Sequence, residues 1–200
     1  MAIDKKAFYN IGYGLYVVSC KDGQKHNAMI CNTVCQVSNE HFTVSINKNN
    51  FSCGMIAKTG VLNVNCLTEK APFELFERLG FKSGKDLDKM RYEVLYPMQN
   101  GVMAFANYVN AVISLKVENV IDLGSHLTFI CKATESQIIS KEPSMTYAYY
   151  HANVKPKPKK TQAKGYRCKI CGYVYEGSSL PQDFTCPWCK HPAIDFESVE

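Results

Sequence analysis

Two Cys-x-x-Cys pairs lie near the end of the chain: Cys168-Lys169-Ile170-Cys171 and Cys186-Pro187-Trp188-Cys189. A Cys-x-x-Cys turn sets two thiolates at neighbouring corners of a tetrahedron, and its backbone amides can donate to the sulfurs. Four sulfurs so arranged suit Zn²⁺ or iron, with a reactive dithiol or a disulfide pair as the remaining chemistry for this spacing. Spacing alone leaves the metal open, a structural zinc ribbon included. The other six cysteines, Cys20, Cys31, Cys35, Cys53, Cys66 and Cys131, are scattered. Cys31 and Cys35 stand four apart on an expected strand, hence on one face, but no His or Cys pair complements them at ligand spacing. All six read as buried thiols.

The elements that must position these groups fall into two regions. The chain has 200 residues, 46% hydrophobic and 20% charged, enough apolar content for one or two folded domains. Residues 1–150 carry 15 basic and 13 acidic residues, residues 151–165 five lysines and no acid, and residues 166–200 three basic and five acidic residues. The middle stretch alternates Lys with Pro, cannot form a core, and is expected to be an extended tether. A nucleic-acid contact is the alternative that a Lys run permits but does not specify. The expected division is therefore residues 1–152, a linker over 153–165, and a small domain over 166–200. The stretch that follows Met1-Ala2-Ile3-Asp4-Lys5-Lys6 holds no continuous apolar core of a signal peptide. The uncharged run 94–115 is broken by Pro97, Gln99, Asn100, Asn107 and Asn110. Neither reads as a membrane or export segment, and the expected setting is a reducing cytoplasm.

Around the knuckles sit Tyr166, Tyr173, Tyr175, Phe184, Trp188 and Phe196. With Cys-x-x-Cys-Gly-Tyr-x-Tyr and Leu-Pro-x-Asp-Phe-x-Cys-Pro-x-Cys, residues 166–196 resemble rubredoxin. The resemblance implies one iron held by Cys168, Cys171, Cys186 and Cys189 that exchanges a single electron. The segment between the knuckles is short, as in the rubredoxin-like domains of rubrerythrins, Phe184 stands where Trp is usual, and Lys190 stands where Gly is common.

The long N-terminal region reads mainly as strands: 15–20, 28–38, 42–46, 61–67, 111–117 and 127–133, rich in β-branched residues. Helical spacing is confined to 52–58 and to 72–79, with Gly80 as a stop. Many strands with short helices, and no Gly-x-Gly-x-x-Gly after a strand, argue for a closed or split β-barrel. Four stretches carry a resemblance to the flavin reductase-like, FMN-binding split barrel. They are Gly23-Gln-Lys-His-Asn27-Ala28-Met29-Ile30-Cys31-Asn32-Thr33, Val44-Ser45-Ile46-Asn47-Lys48-Asn-Asn-Phe-Ser52, Thr59-Gly-Val-Leu-Asn63-Val-Asn65, and Asp122-Leu-Gly124-Ser125-His126. The fold class is thus mainly β with short helices: an FMN-binding split β-barrel plus a small rubredoxin-like iron ribbon domain.

The resemblance implies that FMN is held by Asn27, Ala28, Met29, Ile30, Cys31, Asn32, Thr33, Ser45, Ile46, Asn47, Lys48 and Ser52. Lys48 and Ser52 lie near a helix start that suits the phosphate. Ile30 stands where the family usually has Thr, so that contact falls to backbone groups. His126 is the residue implied for the face that meets NADH or NADPH. Tyr147, Tyr149 and Tyr150 read as packing or dimer contacts, and the family implies a homodimer. Taken together, the two regions resemble flavin reductase–rubredoxin fusions, the high-molecular-weight rubredoxins. Electrons would pass from NAD(P)H through FMN to iron and on to a redox partner such as a flavodiiron protein that reduces O₂ or NO. Two other classes stay open: a flavin or ferric reductase with a structural zinc ribbon, and a nucleic-acid-binding zinc-ribbon module.

Overall fold

The computed structural model describes residues 3–156, 165–169, 172–187 and 192–199. It divides into two compact units, Met1–Val154 and Lys155–Glu200. Residues 157–164, most of the expected tether, lie outside the described residues.

The first unit is built on one antiparallel sheet of β1 (Tyr16–Asp22), β2 (Lys25–Cys31), β3 (Val34–Gln36), β4 (His41–Asn47), β5 (Val61–Leu67), β8 (Val109–Asp122) and β9 (His126–Ile138). The strands run in the order β2-β1-β5-β8-β9-β4-β3. The first and last of these, β2 and β3, are consecutive in the chain and joined only by Asn32 and Thr33. A trans chain advances at most about 3.6 Å per residue, so a two-residue link cannot span an open seven-stranded sheet. The sheet must therefore curl until its ends approach. Register shifts in the β8/β9 ladder, at Ser114/Leu115 and Val117/Asn119, add local twist in the same element. The expected mainly β, curled architecture is what forms.

Successive side chains of a strand point to opposite faces, and here both faces are covered. Val18, Cys20, Met29, Ile46, Leu62 and Phe129 enter one apolar cluster with Ile56 of the helix α1 (Phe51–Thr59). Val17, Ala28 and Leu67 enter the other, against Phe76, Leu79 and Phe105. Burial on both faces is why these strands read as continuous apolar runs. The helix expected over 72–79 is shorter and differently ended: α2 (Phe73–Phe76) passes into a π-helical turn, Glu77–Phe81, that runs through Gly80. The uncharged run 94–115 folds as the hairpin β6 (Leu95–Pro97) and β7 (Met103–Phe105) and then enters β8. No helix among the described residues is long and apolar enough to cross a membrane.

Asn63 and Asn65 of the third motif brace this architecture. Both are 0% exposed. Asn65 donates to Val17 O at 2.9 Å and accepts from Phe105 N at 2.9 Å. Asn63 donates to Val102 O at 3.0 Å and accepts from Asn100 Nδ2 at 2.8 Å and Ser114 Oγ at 2.9 Å. The pair ties the β7 hairpin to the sheet through fully satisfied buried groups.

In the second unit β10 (Gly165–Cys168) pairs with β11 (Val174–Tyr175) and β12 (Phe196–Val199). Phe184 packs on Tyr175 with ring centres 4.7 Å apart and edge-on to Phe196 at 5.4 Å. The expected aromatic shell is thus assembled around the metal motif, save Trp188, which lies outside the described residues.

Asn63→Ala leaves the side chains of Asn100 and Ser114 and the carbonyl of Val102 without their buried partner. It should lower the stability of the first unit by about 2–4 kcal/mol. Urea unfolding reads this directly, and an unchanged midpoint would contradict the bracing role.

Candidate cofactor and metal sites

The flavin-type motifs converge where β4 ends. Asn47 faces His126 across the β4/β9 ladder, and Ser45 faces Thr128, their hydroxyls 2.7 Å apart. The backbone N–H of Lys48 donates to Ser125 O at 3.0 Å. Asp122-Leu-Gly-Ser-His126 forms the turn between β8 and β9. Gly124 takes φ +80°, which a side chain would resist, and its N–H donates to Asp122 Oδ1 at 2.8 Å. Lys48 Nζ lies 2.6 Å from the Asp122 carboxylate. That ammonium, with the Gly124 N–H behind it, holds the Asp122 carboxyl below its usual range. Ser125 Oγ lies 2.9 Å from His126 Nδ1 and fixes the imidazole locally.

On the other side, Asn27 Nδ2 donates to Ser52 Oγ at 2.8 Å, and the two residues are 2% and 1% exposed. Gly84 closes over Asn27: a Cβ there would stand 2.1 Å from Asn27 Oδ1, so the close approach requires glycine. Thr33 Oγ1 donates to Ser45 O at 2.6 Å, and Ser45 N to Thr33 O at 3.0 Å, so the two-residue link is itself stitched to β4. Asn47 Oδ1 accepts from Asn49 N at 2.9 Å, turning the chain toward α1.

Three groupings result: Asn27 with Ser52, Cys31 and Thr33 with Ser45, and Asn47 and Lys48 with His126. The side chains of Ala28, Met29, Ile30, Cys31 and Ile46 pack in the two apolar clusters, so only their main-chain groups are available to a ligand. β2 is an edge of the sheet order, with a strand partner only in β1. Its outer row of N–H and C=O groups therefore has no strand partner among the described residues, and suits a planar ligand edge that both donates and accepts. Asn50 caps α1 without a side-chain hydrogen bond. Cys53 N donates to Asn50 O at 3.0 Å, which leaves the N–H groups of Phe51 and Ser52 at the start of this nine-residue helix for an anion, with Lys48 nearby and Lys25 Nζ 4.6 Å over the Phe51 ring. This donor set fits a phosphate monoester beside a flavin-like ring.

Sequence reasoning passed over Lys25, Gly84 and Lys89, all brought to the same region. Gly84 and Lys89 lie in a polar, aperiodic stretch that reads as an ordinary loop.

The scattered thiols mostly behave as expected. Cys20, Cys31, Cys53 and Cys131 are buried. Burial pushes the Cys20 and Cys131 thiols up to about 12 and Cys66 to about 11. Cys35 is the correction: β2 stops at Cys31 and β3 starts at Val34, and Cys35 is exposed while Cys31 is buried.

At the metal motif, Cys168 and Cys186 are 1% and 0% exposed and share a cluster with Phe196. Cys171 and Cys189 lie outside the described residues. The first knuckle begins with Gly172 N donating to Cys168 O at 2.8 Å, Gly172 at φ +79°, and Cys168 N donating to Tyr173 O at 2.8 Å. Buried thiols at the first position of each pair, enclosed by aromatic rings, fit a thiolate-bound metal shielded from water.

Residues 8–157 match the flavin reductase like domain, and residues 166–197 the rubrerythrin, rubredoxin-like domain. The chain therefore belongs to the flavin reductase like family and carries a C-terminal rubredoxin-like domain. It is 30% identical to the high molecular weight rubredoxin of Moorella thermoacetica over 98% of this chain and 100% of that protein. It is also 30% identical to the ferric-chelate reductase (NAD(P)H) of Archaeoglobus fulgidus over 80% of this chain and 95% of the other. The fold resembles that of the FMN-binding protein of Thermus thermophilus, with TM-score 0.62 and 18% identity, covering 69% of this chain and 77% of that one.

Brief alkylation of the native protein at pH 7.5, read by mass spectrometry, should label Cys35 well ahead of Cys20, Cys31, Cys53, Cys66 and Cys131. Equal labelling of Cys20 or Cys131 would contradict the burial that raises their thiols.

Proposed function

We propose that this protein is an electron-transfer oxidoreductase that passes electrons from NADH or NADPH through FMN to an iron centre and on to a separate redox acceptor. What carries the reading is one chain that joins a flavin reductase domain to a rubredoxin-like domain, and that aligns end to end with a high molecular weight rubredoxin. When bound, FMN supplies the capacity to take two electrons as a hydride and return them singly, which a one-electron iron–thiolate site requires.

The chain's own residues divide the work of holding it. The edge of β2 from Asn27 to Thr33, apart from the Ala28 carbonyl taken by Lys89, and the main chain of Ser45, Ile46 and Asn47 offer donors and acceptors to the ring and ribityl groups. The first turn of α1, with Ser52 and Lys48, takes the phosphate. Lys48 brings its charge already shared with Asp122. His126, whose Nδ1 is engaged by Ser125 Oγ, is the residue that meets the nicotinamide in this reading. Cys168, Cys171, Cys186 and Cys189 hold the iron, and the aromatic rings packed with Cys168 and Cys186 limit water. The covalent link keeps the second acceptor at high local concentration relative to a free partner. The acceptor is a flavodiiron protein, and the functional unit is a homodimer in the cytoplasm.

The ferric-chelate reductase relative supports a second reading, in which the flavin unit reduces ferric complexes and the tail is a zinc ribbon. Metal content separates the two: about one iron per chain supports the relay, and zinc alone contradicts it. In the full chain, Cys186→Ser should abolish ferric–thiolate absorption and leave the flavin content unchanged. Loss of both together would contradict independent cofactor sites.

A further inference from the structure

Lys89 is a buried lysine that the proposed route does not use. It is 5% exposed, and its ammonium donates to Leu79 O at 2.8 Å and Ala28 O at 3.2 Å. Ala28 belongs to the β2 motif. An ammonium carries three donors, and these two bonds occupy two of them. Lys89 forms no ion pair among the described residues, although a desolvated charge is costly without an opposite partner. The cavity lined by its sequence neighbours Asp88 and Met90 also carries Lys25 and His26 of β2 and Lys85 and Asp86 of the same segment, and Arg78, beside Leu79, is paired with Glu93. Lys89 lies within electrostatic reach of the Cys20 thiol, whose Sγ is 4.0 Å from Ser52 O. Ser52 in turn accepts from Asn27, at the uncapped first turn of α1. A buried cation with no ion-pair partner among the described residues is thus linked, through the Cys20 thiol, to Ser52 in the first turn of α1.

We infer that Lys89 is a buried countercharge for the phosphate of the bound flavin and sets the preference of this chain for FMN over riboflavin. The inference rests on the FMN reading above and adds to it a residue outside all four motifs. Two bonds to carbonyls account for the position of Lys89, but a neutral donor would serve those equally. The charge is accounted for by an anion that arrives with the ligand. Burial draws the Lys89 ammonium down to about 8, so the countercharge is present at neutral pH and is lost on mild alkalinisation. Cys20, pushed up to about 12, and His26, held below its usual range by burial, do not change charge between pH 7 and about 9.5. The phosphate itself is a dianion above its second ionisation near ~6.

The test measures the dissociation constants of FMN and riboflavin for the full-length chain stripped of flavin. Lys89→Met should weaken FMN roughly ten- to hundredfold and leave riboflavin within about twofold. In the unaltered chain, FMN affinity should fall as pH rises through about 8 while riboflavin affinity stays level; this arm does not depend on the variant folding. Equal weakening of both flavins by Lys89→Met, together with parallel pH profiles in the unaltered chain, would reduce Lys89 to a clamp on Ala28 and Leu79 and overturn the inference. Binding of riboflavin as tightly as FMN by the unaltered chain would also overturn it. Failure of the unaltered chain to bind either flavin would overturn the FMN reading itself.

Discussion

The two-residue connection between β2 and β3 is the constraint on which the first unit depends. Because Asn32 and Thr33 join the two ends of the sheet order, the sheet has to curl, and curling brings the outer edge of β2 beside the end of β4. What the first unit offers to a ligand in this reading is a consequence: the outer edge of β2, which has no second strand partner among the described residues, the backbone of Ser45 to Asn47, and the start of α1 soon after β4. The side chains of the strands are consumed by two apolar clusters, so recognition falls to backbone groups and to the polar residues at strand ends. Such a site is precise because rigid strands hold it rather than loops.

Charge is distributed with the same economy. Lys48 is neutralised in part by Asp122 at the surface, and Arg78 by Glu93, whereas Lys89 is buried against carbonyls alone. In the second unit, charge is held by sulfur. Thiolates inside an aromatic shell need a cation to be stable, and so small a unit gains much of its folding free energy from the metal it binds.

Much of this was legible in the chain. Runs rich in β-branched and apolar residues marked the strands, and the helix α1 was placed to within a residue or so at each end. The Cys-x-x-Cys pairs marked the metal motif because ligand spacing is a local property. Non-local facts were not legible. Nothing in the spacing of Cys31 and Cys35 shows that the strand breaks at Asn32 and turns one thiol out to solvent. Asn63 and Asn65 read as motif letters and proved to be braces, since their partners Val102 and Phe105 lie some forty residues away in an uncharged stretch without clear period. Lys89 sat in a polar segment whose tertiary burial no composition rule foresees.

The central claim is that a flavin and an iron in one chain are joined in electron transfer. It is tested most directly by the visible spectrum of the purified full-length protein, recorded anaerobically before and after addition of NADH or NADPH. The account predicts flavin and ferric–thiolate bands at the start and loss of both after the nicotinamide is added. Bleaching of the flavin with the ferric–thiolate absorption intact would contradict it.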